Sequence, residues 1–331
     1  MRQSHRRRGR PFGPRAERTD PSAVVFDDGP LARDADDAVD PERFFEEDPV
    51  LDLRDHQPEG KRDLNKRLIS ATAVAAVVIA AMVAGPAATA VVIALAVTTS
   101  LSELFALLRR RGHHPATPVA MLGAAGAVAA SYLRGPAGLQ LVVVATSVAV
   151  FGWYLAGGSR GSVVTNAGLS FAGFAWIGVF GSYAALLASP ATFSGHQGIY
   201  YFLGALLCTI AYDTGAYAVG RRFGKRVLAG SISPHKTLEG AFGGTVSSVL
   251  MGAVVVSGIP PWTLSQAAAL GVVVAVAAPV GDLFESLVKR DLKVKDMSSL
   301  LPGHGGMLDR IDALLFVLPA TYYLLVAMHA G

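Results

Sequence analysis

Acidic residues in this 331-residue chain are grouped in a way that points to chemistry. Nine acids lie beyond position 67, and eight of the nine fall between residues 213 and 312. The chain around them is strongly apolar, since 52% of all residues are hydrophobic and only 16% are charged. Ionisable groups are costly in apolar surroundings unless they are paired or hydrated, so they mark functional positions. We therefore expect the active region in the C-terminal part of the chain.

The stretch GDLFESLVKRD carries acids and bases at helical spacing. Its polar residues are spaced i, i+3, i+4, i+7 and i+8, so they lie broadly on one side of a helix. In order, these residues are Asp282, Glu285, Ser286, Lys289 and Arg290. This predicts a polar stripe that has its acids deeper and its bases nearer the helix end.

The next stretch, KDMSSLLPGHGGMLDRID, combines a flexible loop with two further acids. Gly303, Gly305 and Gly306 permit close approach of the backbone to a ligand. Asp309 and Asp312 are spaced i and i+3 at the start of the last apolar run, so both can face one cavity. Acids, bases and a glycine-rich loop together are typical of a divalent cation that holds a polyphosphate.

Three upstream features extend this pattern. Asp213 lies within an apolar run, where we interpret it as a metal ligand at the mouth of a polar cavity. In SISPHKTLEG, Ser233 and Lys236 stand at the start of an apolar helix, a position suited to binding an anion. Glu103 is the one of the nine acids that lies outside residues 213–312, and we expect it to pair with, or approach, the three arginines at 109–111.

The elements that must position these residues are long apolar segments. From Leu68 onward, apolar runs of about 17–22 residues alternate with short polar breaks, and runs of this length span a bilayer as helices. The sequence therefore predicts an all-α, polytopic integral membrane protein with about nine transmembrane helices. We place the spans near 68–84, 87–108, 117–133, 138–156, 168–188, 198–220, 240–258, 263–283 and 311–329.

Charge and composition predict the domain organisation and the orientation. Residues 1–67 are charged and poor in apolar residues, which predicts a disordered cytosolic tail. Residues 68–190 are expected to form N-terminal scaffold helices, and residues 191–331 a catalytic region. Lysine and arginine concentrate in the breaks that lie on the side of the tail, with Arg134 alone on the other side. This asymmetry predicts a cytosolic N-terminus.

The segment from residue 286 to residue 312 resembles a family signature. The signature reads Ser, two residues, Lys-Arg, four residues, Lys-Asp, a short apolar stretch, Pro, one residue, His-Gly-Gly, two residues, Asp-Arg, one residue and Asp. Without a gap, the fixed positions are filled here by Ser286, Lys289, Arg290, Lys295, Asp296, Pro302, His304, Gly305, Gly306, Asp309, Arg310 and Asp312.

This pattern is similar to that of the phosphatidate cytidylyltransferases, also called CDP-diacylglycerol synthases. DTGAY and SPHKTLEG also look like upstream motifs of that family. The chain departs from the family at His235 and Leu238, where Lys and an aromatic residue are often found. The resemblance is strong over residues 200–315, whereas the N-terminal spans agree in character only.

The resemblance implies a reaction and its components. CTP and phosphatidate would give CDP-diacylglycerol and pyrophosphate, in the phospholipid biosynthesis of the cell membrane. The enzyme would be multi-pass, with its active site facing the cytosol, and a homodimer. Mg²⁺ would be the cofactor, alone or with a second cation, and we expect no nucleic acid partner.

The resemblance also implies roles for individual residues. The metal ligands would be Asp213, Asp282, Asp309 and Asp312, the last of which could instead orient Arg310. The catalytic set would be Asp282, Asp309, Lys289, Arg290 and Arg310. The substrate-binding set would be Ser233, Lys236, Ser286, Lys295, His304, Gly305 and Gly306.

Other functions share some of these features. A polyprenol kinase or an ether-lipid cytidylyltransferase would also use CTP and phosphate-binding loops, although the complete signature argues against a kinase. An ion-coupled transporter would use the intramembrane acids as ion sites. That function predicts polar groups near the bilayer midplane and in repeated halves, whereas here they lie in one half.

Overall fold

A computed structural model describes residues 61–158, 161–230, 232–298 and 305–329, with side chains from residue 72 to residue 328. The predicted disordered tail therefore lies outside the described residues as far as residue 60. From Lys61 the chain is helical, so the first helix begins before the predicted start at residue 68. Helical hydrogen bonding continues there through the polar segment KRDLNKR, which the apolar run does not include.

Helices make up most of the described chain. In order they are α1 (Lys61–Ala84), α2 (Pro86–Arg110), α3 (Thr117–Leu155), α4 (Val163–Gly173), α5 (Phe180–Ala188), α6 (Gln197–Phe223), α7 (Leu238–Leu250), α8 (Leu264–Asp291) and α9 (Leu308–His329). A π-helical turn joins α4 to α5, and short π-helical and 3₁₀ turns extend α7. In the described part of the chain, seven helical stretches are long and apolar enough to cross a membrane. The prediction of an all-α, polytopic membrane protein is confirmed.

α3 is a hairpin of two helices. Gly135 in its middle has φ 63° and ψ −148°, which interrupts the helix where the sequence predicted a break between two spans. Thr146 of the second half lies against Gly123 of the first, so the two halves run antiparallel. Within α1, the residues whose side chains the structure describes, Thr72–Ala84, are also apolar. The count of nine spans stays a prediction.

Glycines let the C-terminal helices approach one another closely. A Cβ atom on Gly244 of α7 would lie 2.8 Å from the Tyr212 ring of α6. A Cβ atom on Gly281 of α8 would lie 2.6 Å from the carbonyl oxygen of Asp312 in α9. Such distances leave no room for a side chain. These contacts fix α6 against α7 and α8 against α9, and with them the acids that the helices carry.

A small antiparallel β-hairpin lies between α6 and α7. Its strands are β1 (Val227–Ala229) and β2 (Ser233–Thr237), with Val227 opposite Thr237. Thr237 also caps α7, because its hydroxyl accepts a hydrogen bond from the Gly240 N–H at 3.1 Å. The sequence predicted the helix start but missed the strands, since they are too short to show an alternating pattern.

One apolar core connects the N-terminal and C-terminal helices. Leu101 and Phe105 of α2 are fully buried in the same cluster as Leu315 of α9. Large apolar side chains such as Leu122 and Leu155 lie on the outside, as is typical of helices that face lipid. The predicted scaffold and catalytic regions therefore share one core, which has consequences for the site.

Candidate active site

Polar contacts join the ends of five elements at one end of the helix bundle. α2 and α8 end there, while α7 and α9 begin there, and the β-hairpin lies beside them. Five of the described residues form ion pairs in this region. Lys236, Asp282, Lys289 and Asp309 were predicted as site residues, and Glu285 was predicted to lie on the same polar stripe of α8.

Lys236 of β2 and Asp282 of α8 form the more open ion pair. Lys236 Nζ lies 2.8 Å from Asp282 Oδ2, and the two side chains are 30% and 24% exposed. Arg290 strengthens the same junction, because its Nε donates to the carbonyl oxygen of Ile232 at 2.9 Å. These contacts hold the β-hairpin against the end of α8, and they leave Lys236 accessible to an anionic ligand.

Lys289 forms a buried bridge between α8 and α9. Its Nζ lies 2.6 Å from Glu285 Oε2 and 2.6 Å from Asp309 Oδ1. The Glu285 and Asp309 side chains are only 2% and 6% exposed. Removing one partner of such a group leaves an uncompensated buried charge, so the bridge constrains how the two helices pack.

Asp309 also organises the loop before α9. Its Oδ2 accepts the Met297 N–H at 3.1 Å and the Gly306 N–H at 2.6 Å. Gly305 has φ 76°, and a Cβ atom there would lie 2.8 Å from the same oxygen. Glycine is therefore favoured here, because another residue would strain the backbone and press against the Asp309 side chain. His304 lies outside the described residues. Both carboxylate oxygens of Asp309 already have protein partners, and its role as a metal ligand stays a prediction.

Four acids gather beside these ion pairs. Asp213, Asp282 and Asp312 are close enough to interact electrostatically with one another. Glu285 also interacts electrostatically with Asp312. Glu285 Oε1 is buried and has no hydrogen-bond partner among the described residues. The cluster therefore concentrates negative charge in a small space, where like charges repel.

The donor chemistry of this cluster fits a divalent cation. In the described part of the chain, no three acids, histidines or cysteines form a ready-made metal site. Carboxylate oxygens are nevertheless the ligands that Mg²⁺ prefers, and the unpartnered Glu285 Oε1 and the mutual repulsion of the acids would both be relieved by a cation. Asp213, Asp282 and Asp312 are the residues that would hold it.

The other predicted residues surround the cluster. Ser233 in β2 and Ser286 in α8 are partly buried, whereas Lys295 and Arg310 are exposed on either side of the loop. The exposed cations lie where a charged ligand would approach from water. Their roles toward a substrate stay predictions.

Glu103 of α2 makes contacts that the sequence did not predict. Its carboxylate accepts hydrogen bonds from the Ser298 hydroxyl and from the N–H groups of Met307 and Leu308. The expected pairing with the arginines at 109–111 is wrong, since Glu103 faces the bundle interior, and Arg109 and Arg111 bond to Thr117 and to the end of α8. One feature of the sequence does mark Glu103 as unusual, because it is a single acid within an apolar run.

A bundle of membrane helices with acids and lysines joined at one end defines a class of protein, the polytopic membrane enzymes that act on anionic groups at the bilayer surface. The sequence model of the cytidylyltransferase family matches residues 65–328. The chain belongs to that family and is a nucleotidyltransferase.

Curated relatives give a consistent comparison. The phosphatidate cytidylyltransferase of Mycobacterium bovis is 32% identical over 270 residues, which cover 77% of this chain and 85% of that protein. The phosphatidate cytidylyltransferase of Mycobacterium tuberculosis is 32% identical over 270 residues, with 77% of this chain and 80% of that protein covered. The one from Staphylococcus haemolyticus is 40% identical over 136 residues, or 40% of this chain and 51% of that protein. The resemblance predicted from the signature is confirmed.

Proposed function

We propose that this chain is a phosphatidate cytidylyltransferase, which converts CTP and phosphatidate into CDP-diacylglycerol and pyrophosphate. The observation that carries the proposal is the meeting of Lys236, Asp282, Lys289 and Asp309 at one end of the membrane helices. A nucleotide from water and a lipid headgroup from the bilayer can both reach such a place. The relatives that share this name over 77% of the chain support the same reaction.

The reaction is one displacement at phosphorus. An oxygen of the phosphatidate phosphate forms a bond to the α-phosphorus of CTP. The bond from that phosphorus to the oxygen bridging it to the β-phosphate breaks, and pyrophosphate leaves with the electron pair. The attacking oxygen is already anionic at neutral pH, so the site needs no strong general base. Its task is to bring two anions together in line.

Lysine and arginine side chains are suited to that task. Lys236 is paired with a partly exposed acid, so a phosphate can take the place of Asp282 as its partner. Arg290, Lys295 and Arg310 are exposed around the cluster and can bind further phosphate oxygens. Lys289 is buried between Glu285 and Asp309, and it would act by keeping α8 and α9 in register.

We further propose Mg²⁺ as the cofactor, alone or with a second cation, held by Asp213, Asp282 and Asp312. When bound, Mg²⁺ neutralises the repulsion between the reacting phosphates and the charge of the leaving pyrophosphate. The excess of negative charge around Asp213 supports this proposal. Asp213 interacts with two further acids, Asp282 and Asp312, and with one lysine, Lys236.

The location of the enzyme follows from its helices and its charges. It is a multi-pass membrane protein. We place it in the plasma membrane with the active site facing the cytosol, since CTP is cytosolic and the basic residues concentrate at that end. We also expect a homodimer, as the family resemblance implies.

Two differently labelled batches of CTP test the proposed function. Purified protein is incubated with phosphatidate and Mg²⁺, once with CTP labelled in the α-phosphate and once in the γ-phosphate. We expect α-label in the lipid and γ-label in pyrophosphate. With a polyprenol added in place of phosphatidate, γ-label in a polyprenyl phosphate would identify a kinase instead. Activity with an ether-linked phosphatidate alone would identify the ether-lipid enzyme, and no product with either label would overturn the proposal.

A further inference from the structure

Glu103 holds two parts of the chain that lie on opposite sides of residues 299–304. Its Oε1 lies 2.6 Å from the Ser298 hydroxyl and 2.9 Å from the Met307 N–H, and its Oε2 lies 2.9 Å from the Leu308 N–H. The Glu103 side chain is only 6% exposed. A Cβ atom on Gly306 would lie 2.7 Å from Oε2, so the loop backbone is packed directly against the carboxylate.

The carboxylate of Glu103 serves the first turn of α9 as a cap supplied by another helix. The first N–H groups of a helix have no partner within the helix, and its N-terminal end carries partial positive charge. Asp309 takes the Gly306 N–H, and Glu103 takes the next two. Four consecutive residues, 306–309, are thereby fixed relative to α2 as well as to α8.

Arg111 holds the other end of the same loop. Its Nη2 donates to the carbonyl oxygens of Leu292 and Lys293, the latter at 3.3 Å, just after α8 ends. The last carbonyl groups of a helix lack partners within it and attract positive charge. Lys293 has φ 49°, so the chain turns sharply where the guanidinium binds.

We infer that Glu103 and Arg111 are positioning residues, which hold the two described parts of the α8–α9 connection, residues 292–298 and 305–308, for nucleotidyl transfer. The inference deepens the proposed function and rests on it. α2 therefore does more than support the bundle: it holds the start and the end of the segment that carries Lys295, Gly305 and Gly306. Neither Glu103 nor Arg111 needs to touch a substrate for this role.

Glu103→Gln tests the inference. The amide keeps the size of the side chain but places an N–H₂ group against groups that are themselves donors. Because small displacements of reacting groups are costly, we expect kcat to fall about 100-fold, with the KM for phosphatidate changed by less than about threefold. Ser102→Ala is the matched control, since Ser102 is the adjacent residue of α2 and its hydroxyl bonds to the Thr99 carbonyl oxygen of the same helix.

Arg111→Ala provides a second test at the aqueous surface, where a folding defect is less of a concern. We expect kcat to fall roughly tenfold, as is typical when a supporting group is lost. Arg110→Ala is its control, because Arg110 is exposed at the end of the same helix. Wild-type kcat in both Glu103→Gln and Arg111→Ala would overturn the inference.

Amide hydrogen exchange separates this inference from the proposed function. Exchange at residues 305–309 is expected to increase in Glu103→Gln and to stay at the wild-type rate in Ser102→Ala, whatever reaction the enzyme catalyses. If the wild type makes no CDP-lipid, the proposed function fails, while the exchange rates still report whether Glu103 holds residues 305–309. If exchange is unchanged in Glu103→Gln, the positioning role fails even when the wild type is active. Thermal unfolding in detergent, well above the assay temperature for every variant, excludes simple instability as the cause.

Discussion

Asp282 and Asp309 each lie beside a lysine, yet their surroundings give them different tasks. Asp309 is 6% exposed and is held by Lys289 and by two backbone N–H groups. Asp282 is 24% exposed and pairs with Lys236. A ligand can therefore reach Asp282 more readily than Asp309. We assign Asp282 to contact with the ligands of the site, and Asp309 to holding the loop and the helices in place.

Asp282→Asn is the sharpest test of this assignment. The amide removes the charge that pairs with Lys236 and one acid of the proposed cation site. We expect kcat to fall by at least about 100-fold, the scale of a lost electrostatic contribution at an active site. Steady-state turnover with CTP and phosphatidate measures it.

The control for Asp282→Asn is Asp291→Asn, because Asp291 is an exposed acid at the end of the same helix. It should keep near-normal turnover, and both variants should unfold near the wild-type temperature. Near-normal activity in Asp282→Asn would remove Asp282 from the site.

Gly305→Ala tests the backbone of the loop. Because Gly305 has φ 76° and faces Asp309 Oδ2, we expect a loss of stability of about 1–2 kcal/mol together with a loss of turnover. Thermal unfolding and kcat are measured on the same preparation. Gly168→Ala in α4 is the control, since a Cβ atom there meets nothing within 4 Å, and alanine favours a helix over glycine by roughly 0.5–1 kcal/mol. A fully stable, fully active Gly305→Ala variant would contradict the geometry.

Residue spacing predicted part of the site and distance hid the rest. The i and i+3 spacings within one helix placed Asp282 with Glu285 and Asp309 with Asp312 correctly on common sides. Glu103 bonds to Ser298 across 195 residues, and no local pattern encodes a contact of that separation. The isolated acid was visible in the sequence, but its partner was not.

At the scale of elements, the β-hairpin and the start of α7 form one unit. Lys236 in β2 reaches Asp282, and Glu239 in the first turn of α7 accepts the N–H groups of Lys225 and Arg226 at 3.0 and 3.2 Å. The turn after α6 and the start of α7 are thus tied together. Lys236 and the start of α7 therefore belong to one bonded unit.

Thr237→Ala should loosen this unit. Its hydroxyl caps α7 by accepting the Gly240 N–H, so we expect a loss of stability of about 0.5–2 kcal/mol, with turnover reduced through Lys236. Denaturation in detergent measures the first effect and kcat the second. Thr237→Ser keeps the cap and should recover most of the stability. Thr245→Ala, which removes a hydroxyl bonded within α7 itself, should change little, and equal effects at both positions would refute the cap.

The apolar runs predicted the helices well because chain length and hydropathy alone decide whether a segment can cross a bilayer. Gly135 and the break it makes were also legible, since a glycine followed by a proline interrupts a helix. Short strands carry no comparable signal. β1 and β2 form where the chain connects α6 to α7. These two helices pack closely together, and no local sequence pattern shows that packing.

At the scale of the whole molecule, the orientation in the membrane can be tested directly. In a Cys208→Ser background, Lys225→Cys places a thiol at the hairpin end and Ser194→Cys places one at the opposite end, and both native residues are exposed. A membrane-impermeant maleimide applied to intact cells should label Ser194→Cys alone. Label on Lys225→Cys before the cells are opened would reverse the orientation. Cys208 is fully buried, so its removal should be mild.

The shared core makes the two halves of the protein interdependent. Leu101 and Phe105 pack in the same cluster as Leu315, and Glu103 and Arg111 bond to the loop that ends at α9. Sequence composition predicted a boundary near residue 190, because acids are rare before it. The fold places no boundary in the core there.

The contact between Glu103 and Ser298 can form only late in the synthesis of the chain. The 195 residues that separate them take roughly 10–40 s to synthesise at about 5–20 residues per second. During that interval the carboxylate of Glu103 is already part of the chain, while the Ser298 hydroxyl and the later N–H groups that will donate to it have not yet been synthesised. The contacts of Glu103 are therefore completed only after the start of α9 has been made, so a chain that ends before α9 lacks the N–H donors of Met307 and Leu308.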